Sequence, residues 1–279
     1  MTKKEKIIRI LDILGINNKY IHRKMYQYQS SERAFSDDRK KKLDRESFFK
    51  PLLNPGDLVF DVGANIGDIV EPLLNQGCKI IAFEPQDECL KILKNRFKHE
   101  KNSQLVLDKR ALGAKVGNVD FYECLASSSS STFSTQWIKA MKEDKLKYVN
   151  WNLHSTKEMT TLDQVIKQYG KPRFCKIDVE GYEYEVFQGL SQPIDLISFE
   201  YTVPEAIDTI SNCIHHLLKL NPDYTFNYSI GVSMRFVFPS FIRGGDFLEH
   251  MKNEKFLNNA SYIFGDVYVA SEDFIQSFL

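Results

Sequence analysis

Apolar positions fall in short β-prone runs separated by stretches with helical spacing, the rhythm of an α/β sheet with helices on both faces. Leu58, Val59, Phe60 and Val62 make the first run, bounded upstream by the turn residues Asn54-Pro55-Gly56. Gly63 and Gly67 follow, supplying backbone freedom and close approach. Asp68-Ile-Val-Glu71 then reads as an N-cap with Glu three residues on, which predicts the start of a helix. Lys79–Phe83 is a second strand, and Glu88–Phe97 a helix with Leu90, Leu93 and Phe97 on one stripe. A third strand is predicted at Gln104–Asp108.

The alternation then lapses. Asn118–Tyr122 reads as an extra strand, and Ala126–Thr132 is a polar, serine-rich loop. Residues 124–160 hold both tryptophans, Trp137 and Trp151, with little periodicity, and are expected to form a cap-like insertion over a substrate. Order resumes at Thr161-Leu-Asp-Gln164, a second capping pattern opening a helix that ends at Gly170. The strand Phe174–Asp178, a helix from Gly181-Tyr182-Glu183 to Gly189, the strand Leu196–Tyr201 and a helix from Glu205 to Leu220 follow. Tyr224–Ile230 and Tyr262–Ala270 are the last two strands, making seven in the core. Residues 1–50 are expected to be a helical extension, with a short apolar-faced helix at Ile7–Leu14 ended by Gly15, and residues 51–279 a single domain.

Composition narrows the class. With 279 residues and 43% hydrophobic content, the chain can fill a large core. No apolar run approaches the roughly 18 residues of a membrane span, and the charged first twenty residues do not resemble a secretory signal. The five cysteines are odd in number and scattered, which reads as reduced core thiols in a cytoplasmic protein. Net charge is zero, but residues 1–50 carry 14 Lys or Arg against 7 Asp or Glu, so the remainder is acidic. A basic amphipathic stretch of this kind can touch an anionic membrane peripherally or dock on its own domain. Arg39-Lys40-Lys41-Lys42 reads as a solvated helix face, and the chain as a whole offers no broad basic face for nucleic acid. The composition leaves open whether the chain is a homo-oligomer.

The candidate chemistry lies at strand ends. Strand, glycine turn and helix start form the first crevice of a doubly wound sheet, where nucleotides bind. Glu84 ends the second strand 23 positions after Asp61 (84 − 61), placed to take both hydroxyls of a ribose. The dinucleotide pattern G-x-G-x-x-G is broken at Asn65, and no G-x-x-x-x-G-K-[ST] occurs. Asp108 could reach an adenine amino group or simply face solvent. At the fourth strand, Asp178, Glu180 and Glu183 crowd one tip, with Glu200 from the neighbouring strand. Such acids can act as a base or favour a nearby cation, or they can merely cap the following helix. No metal is assigned, although Asp178 and Glu200 could share one.

D-V-G-x-N-x-G followed by a strand ending in E-P resembles the S-adenosylmethionine site of class I methyltransferases. More specifically, Val59–Gly67, Ala82–Pro85, Ala111-Leu112, Thr161–Asp163 and Lys176–Glu183 with Gly189 are similar to the FkbM-type methyltransferase family. The resemblance implies a doubly wound, Rossmann-like fold with a seven-stranded, mostly parallel sheet and one antiparallel strand. It implies S-adenosylmethionine-dependent O-methylation of a small-molecule or glycan hydroxyl. Asp61, Gly63 and Asn65 then look like methionine-end contacts, Glu84 the ribose contact and Asp108 an adenine contact. Asp178 becomes the acid at the reacting end, with Glu180 and Glu200 beside it as catalytic candidates. The alternatives are a non-catalytic cofactor-binding module, or a nucleic-acid N-methyltransferase. The latter usually carries an N-P-P-[YF]-type tetrad where this chain has Asp178-Val-Glu-Gly181.

Overall fold

The structure, a computed structural model, describes residues 38–100, 104–124, 128–143, 150–151, 153–203, 206–257 and 264–278. Its main sheet begins with β1 (Leu58–Val62), β2 (Lys79–Phe83) and β3 (Leu105–Asp108). A small second sheet holds β4 (Ala111–Leu112), β5 (Gly117–Glu123) and β6 (Leu153–Thr160). The chain returns to the main sheet with β7 (Phe174–Ile177), β8 (Leu196–Thr202), β9 (Thr225–Tyr228), β10 (Ile242–Arg243) and β11 (Phe264–Ala270). The order is β10-β9-β11-β8-β7-β1-β2-β3. β1 pairs in parallel with both β2 and β7, so the order reverses between β1 and β7, and a ligand crevice opens above that switch.

The sheet therefore has eight strands rather than the expected seven, and two of them, β10 and β11, run antiparallel to their neighbours. The extra strand, β10, is only two residues long, too short to carry any period in the sequence. Alternation along each strand builds two cores. Phe60, Val62, Cys175 and Ile177 face one helical layer, and Val59, Ile80, Ala82 and Phe174 the other.

The helices are α1 (Asp38–Phe49), α2 (Val70–Asn75), α3 (Asp87–Arg96), α4 (Thr135–Glu143), α5 (Leu162–Tyr169), α6 (Glu183–Gln188) and α7 (Ile207–Leu220). After them come α8 (Gly244–Lys252), α9 (Glu254–Leu257) and α10 (Glu272–Phe278). The α5 cap forms as expected, with Thr161 Oγ1 accepting from the Gln164 amide at 3.2 Å. The first capping reading does not hold: Ile69 occupies the N-cap of α2 in a helical conformation, without a side-chain cap. Asp68 and Glu71 are drawn off by Arg96, whose Nη1 and Nη2 donate to them at 3.1 and 2.5 Å, and Lys42 also binds Glu71. Tertiary ion pairing overrides the local motif.

Of the 1–50 extension, α1 lays Phe48 and Phe49 against the sheet; Ile7–Leu14 and Gly15 lie outside the described residues. In the 124–160 segment, β6 pairs antiparallel with β5 from Leu153 to Met159, so its last eight residues form a strand. Trp137 and Trp151 meet edge to face at 6.0 Å and form a small core with Cys124 and Met141. All five cysteines are buried thiols outside any disulfide. No helix among the described residues is long and apolar enough to cross a membrane.

Candidate active site

The glycine turn after β1 is held by its neighbours on both sides. Gly63 and Ala64 amides donate to the Phe83 carbonyl at 2.9 and 3.0 Å. Gly63 has φ +86°, and a Cβ there would come within 1.9 Å of the Asp178 carbonyl oxygen. Glycine is required because the end of β7 presses on this turn. Asn65 also lies in the left-handed region, at φ 48°, which turns its amide onto Glu84 Oε2 at 2.7 Å. The Gln86 amide donates to Glu84 Oε1, also at 2.7 Å. Burial raises the Glu84 carboxyl to about 7, against the pull of these two amides.

Gly63, Asn65, Glu84, Arg110, Asp178 and Glu180 all line one cleft of about 90 Å³ at the switch point. Asp61 does not line it. It sits one residue below the strand end, in register with Lys176, and is 1% exposed. Neither of its carboxylate oxygens has a hydrogen-bond partner among the described residues, and burial raises it to about 6 in spite of Lys176. Asp108 does not line the cleft either, because its carboxylate is engaged by Arg110 and by the Tyr169 hydroxyl.

At the tips of β7 and β8, carboxylate oxygens of Asp178, Glu180 and Glu200 lie within 4.8 Å of one another, the one such group among the described residues close enough to bridge a cation. Lys176 Nζ donates to Asp178 Oδ2 at 2.7 Å from a site 7% exposed. Burial, then the surrounding acids, hold the carboxyls of Glu180 and Glu200 well above the usual range. Glu183 has a different task. Its Oε1 accepts from the Val179 and Gly181 amides at 3.1 and 3.2 Å, closing the turn before α6.

The serine run lies across this site. Ser128 Oγ donates to Asn65 Oδ1 at 3.2 Å, Gln86 Nε2 to Ser131 Oγ at 3.2 Å, and Thr132 Oγ1 to the Glu180 carbonyl at 2.7 Å. Trp151 Nε1 donates to the Ser130 carbonyl at 2.6 Å and pins the turn from behind. Sequence reasoning missed Arg110, the bridging role of residues 128–132, and Lys176. Only Lys176 carried a local signal, as a charged residue inside an otherwise apolar strand.

The sheet order, the glycine turn at the switch and the acidic tip of β2 define a class I methyltransferase architecture. The sequence profile of the methyltransferase FkbM domain matches residues 61–228, and the chain belongs to that family. Its cofactor is S-adenosylmethionine. No curated protein matches the chain at a significant level. Similar solved structures include a precorrin-6y C5,15-methyltransferase from Geobacter metallireducens GS-15. It has 11% identity and a TM-score of 0.41, with 81% of this chain and 88% of that one covered. An rRNA methylase from Streptococcus thermophilus has 10% identity and a TM-score of 0.40, covering 81% and 93%. A Streptococcus mutans protein solved in complex with SAH has 11% identity and a TM-score of 0.38, covering 81% and 94%. At such identities they carry no residue-level information.

The residues present fit the cofactor. A buried carboxylate without a partner at Asp61 suits a cationic ligand nearby, and the Gly63 cradle admits backbone approach that a Cβ would block.

Proposed function

We propose that the chain transfers the methyl group of S-adenosylmethionine to a hydroxyl of a sugar, a glycan or a natural-product small molecule. The observation that carries this reading is the convergence of Asp178, Glu180 and Glu200 beside the cleft. The bound cofactor supplies an electrophilic methyl on a sulfonium. Gly63 and Asn65 hold its methionine end, Asp61 offsets its charge from below, and Glu84 accepts from the ribose hydroxyls. Asp178, ion-paired to Lys176, would take the proton of the acceptor hydroxyl. Burial and the neighbouring acids favour the neutral forms of Glu180 and Glu200, and a neutral carboxyl can donate as well as accept, which suits a polyhydroxylated acceptor. Segment 124–160 acts as the cap. Its tryptophan fluorescence should respond to cofactor plus acceptor, and a silent signal would count against the cap.

A nucleic-acid N-methyltransferase fits less well. The look-alike Asn221-Pro-Asp-Tyr224 is a turn closed by Asn221 Oδ1 on the Asp223 amide, and Tyr224 donates to the Ile194 carbonyl. A non-catalytic binder would have no use for the unpartnered acids. Transfer of label from methyl-labelled cofactor into a glycan or metabolite pool tests the proposal. Label that stays on the cofactor with every pool leaves the binder, and label in RNA or DNA alone leaves the nucleic-acid enzyme.

A further inference from the structure

The acid at the tip of β3 is already spent. Asp108 is 8% exposed, and its Oδ1 accepts from the Arg110 amide and Nε, both at 3.0 Å. Its Oδ2 accepts from Arg110 Nη2 at 2.5 Å, from Nε at 3.1 Å and from the Tyr169 hydroxyl at 3.1 Å. A carboxylate offers about four lone-pair positions, so these donors leave none for a ligand amine. The pairing is the bidentate guanidinium–carboxylate type, which fixes the Arg110 plane as well as its position. Gln168 Oε1 accepts from the same Nη2 at 2.8 Å and fastens it from a second side.

Arg110 thus spends Nε and Nη2 on the protein, and Nη1 carries its remaining donors. Unlike Asp108, Arg110 lines the cleft, next to Leu112 of β4 and facing the same space as Phe83 and Phe121. Glu84 marks the ribose, and Gly63 with Asn65 marks the methionine end. The remaining wall, towards β3 and β4, is where the base has to lie.

We propose that Arg110, and not Asp108, reads the adenine of the cofactor, with Asp108 and Tyr169 serving to hold the guanidinium in place. This rests on the S-adenosylmethionine reading above and adds a base-recognition residue to it. The two candidates differ in chemistry. A carboxylate only accepts, so it reads the 6-amino group of adenine; a guanidinium only donates, so it reads ring nitrogens. Hypoxanthine exchanges that amino group for an oxygen acceptor and carries a hydrogen on N1, leaving N3 and N7 as the ring acceptors common to both bases. A site built on Asp108 rejects the exchange, whereas Arg110 donating to N3 or N7 tolerates it.

Titration calorimetry on the full chain with S-adenosylhomocysteine and S-inosylhomocysteine separates the two. Wild type should bind both within about threefold, and Arg110→Met should weaken both about tenfold through loss of a charged donor. A loss of about tenfold or more for the inosyl compound on wild type overturns the inference, because the site then reads the amine or N1 rather than N3 or N7. Unchanged S-adenosylhomocysteine affinity in Arg110→Met overturns it as well. The wild-type comparison of the two nucleosides stands even if the variant folds poorly. Absence of S-adenosylhomocysteine binding to wild type is a distinct result, overturning the cofactor reading itself and the Arg110 role with it.

Discussion

The tips of β2 and β3 and the tips of β7 and β8 are both rich in carboxylates, but they treat them in opposite ways. Glu84 and Asp108 receive donors from the protein itself, two amides in one case and an arginine with a tyrosine in the other. Glu180 and Glu200 receive none from any described residue, and they sit close enough to Asp178 to disfavour one another's charge. Unpaired acids in a poorly solvated site cost stability. Such a cost is tolerated where a ligand supplies the missing partner. On the roles proposed above, the nucleoside side is organised in advance, while the acceptor side is completed only when the acceptor arrives.

The largest effect should fall on the second side. Asp178→Asn keeps size while removing charge and basicity, and single-turnover methyl transfer should drop about 10²–10⁴-fold. Unchanged transfer would move the base to Glu180 or Glu200. Next is Gly63→Ala, which forces a Cβ into the Asp178 carbonyl at a positive φ. It should cost about 2–3 kcal/mol in urea unfolding, and a cost near zero would mean the two strand ends separate easily.

Glu84→Ala should weaken S-adenosylmethionine binding by about 1–3 kcal/mol, read by calorimetry. Equal affinity would end the ribose assignment.

The smallest effect concerns pH. Asp61 is raised to about 6, and Glu84 and Glu183 to about 7, all chiefly by burial. Acids raised in the folded state bind more protons there than in the unfolded chain. Their contribution is fully present below the unfolded values and is lost as pH rises through 6 and 7. His250, lowered by its burial, works in the opposite direction, but one imidazole does not reverse three buried acids. The apo protein should lose stability between pH 5 and 8, at up to about 1.4 kcal/mol per pH unit for each acid still protonated. A flat or rising profile would show that these acids are better solvated than the structure indicates.

What was legible in the sequence follows the same division. The Thr161 cap was readable because it closes within three residues. The glycine turn and Glu84 were readable because each directly follows a short apolar strand, although the Phe83 carbonyl and the Asn65 amide that hold them come from other elements. Asp68 and Glu71 spelled a cap just as clearly, yet Arg96 and Lys42 from other elements took them. β10 and β6 were hidden, the first by its length and the second by a polar sequence that becomes a strand only beside β5. The saturation of Asp108 was also hidden. Arg110 lies two residues away, but Tyr169 and Gln168 come from α5, and nothing local says which way an arginine turns.

The most direct test measures two quantities on two variants, Asp178→Asn and Glu84→Ala: single-turnover transfer from methyl-labelled cofactor to a glycan or metabolite pool, and affinity for S-adenosylhomocysteine. A nucleoside side organised apart from the acceptor side predicts that Asp178→Asn loses transfer with affinity nearly intact, and that Glu84→Ala loses affinity first. If both variants lose both quantities together, the two sides are one structural unit, and the division of labour proposed for them is wrong.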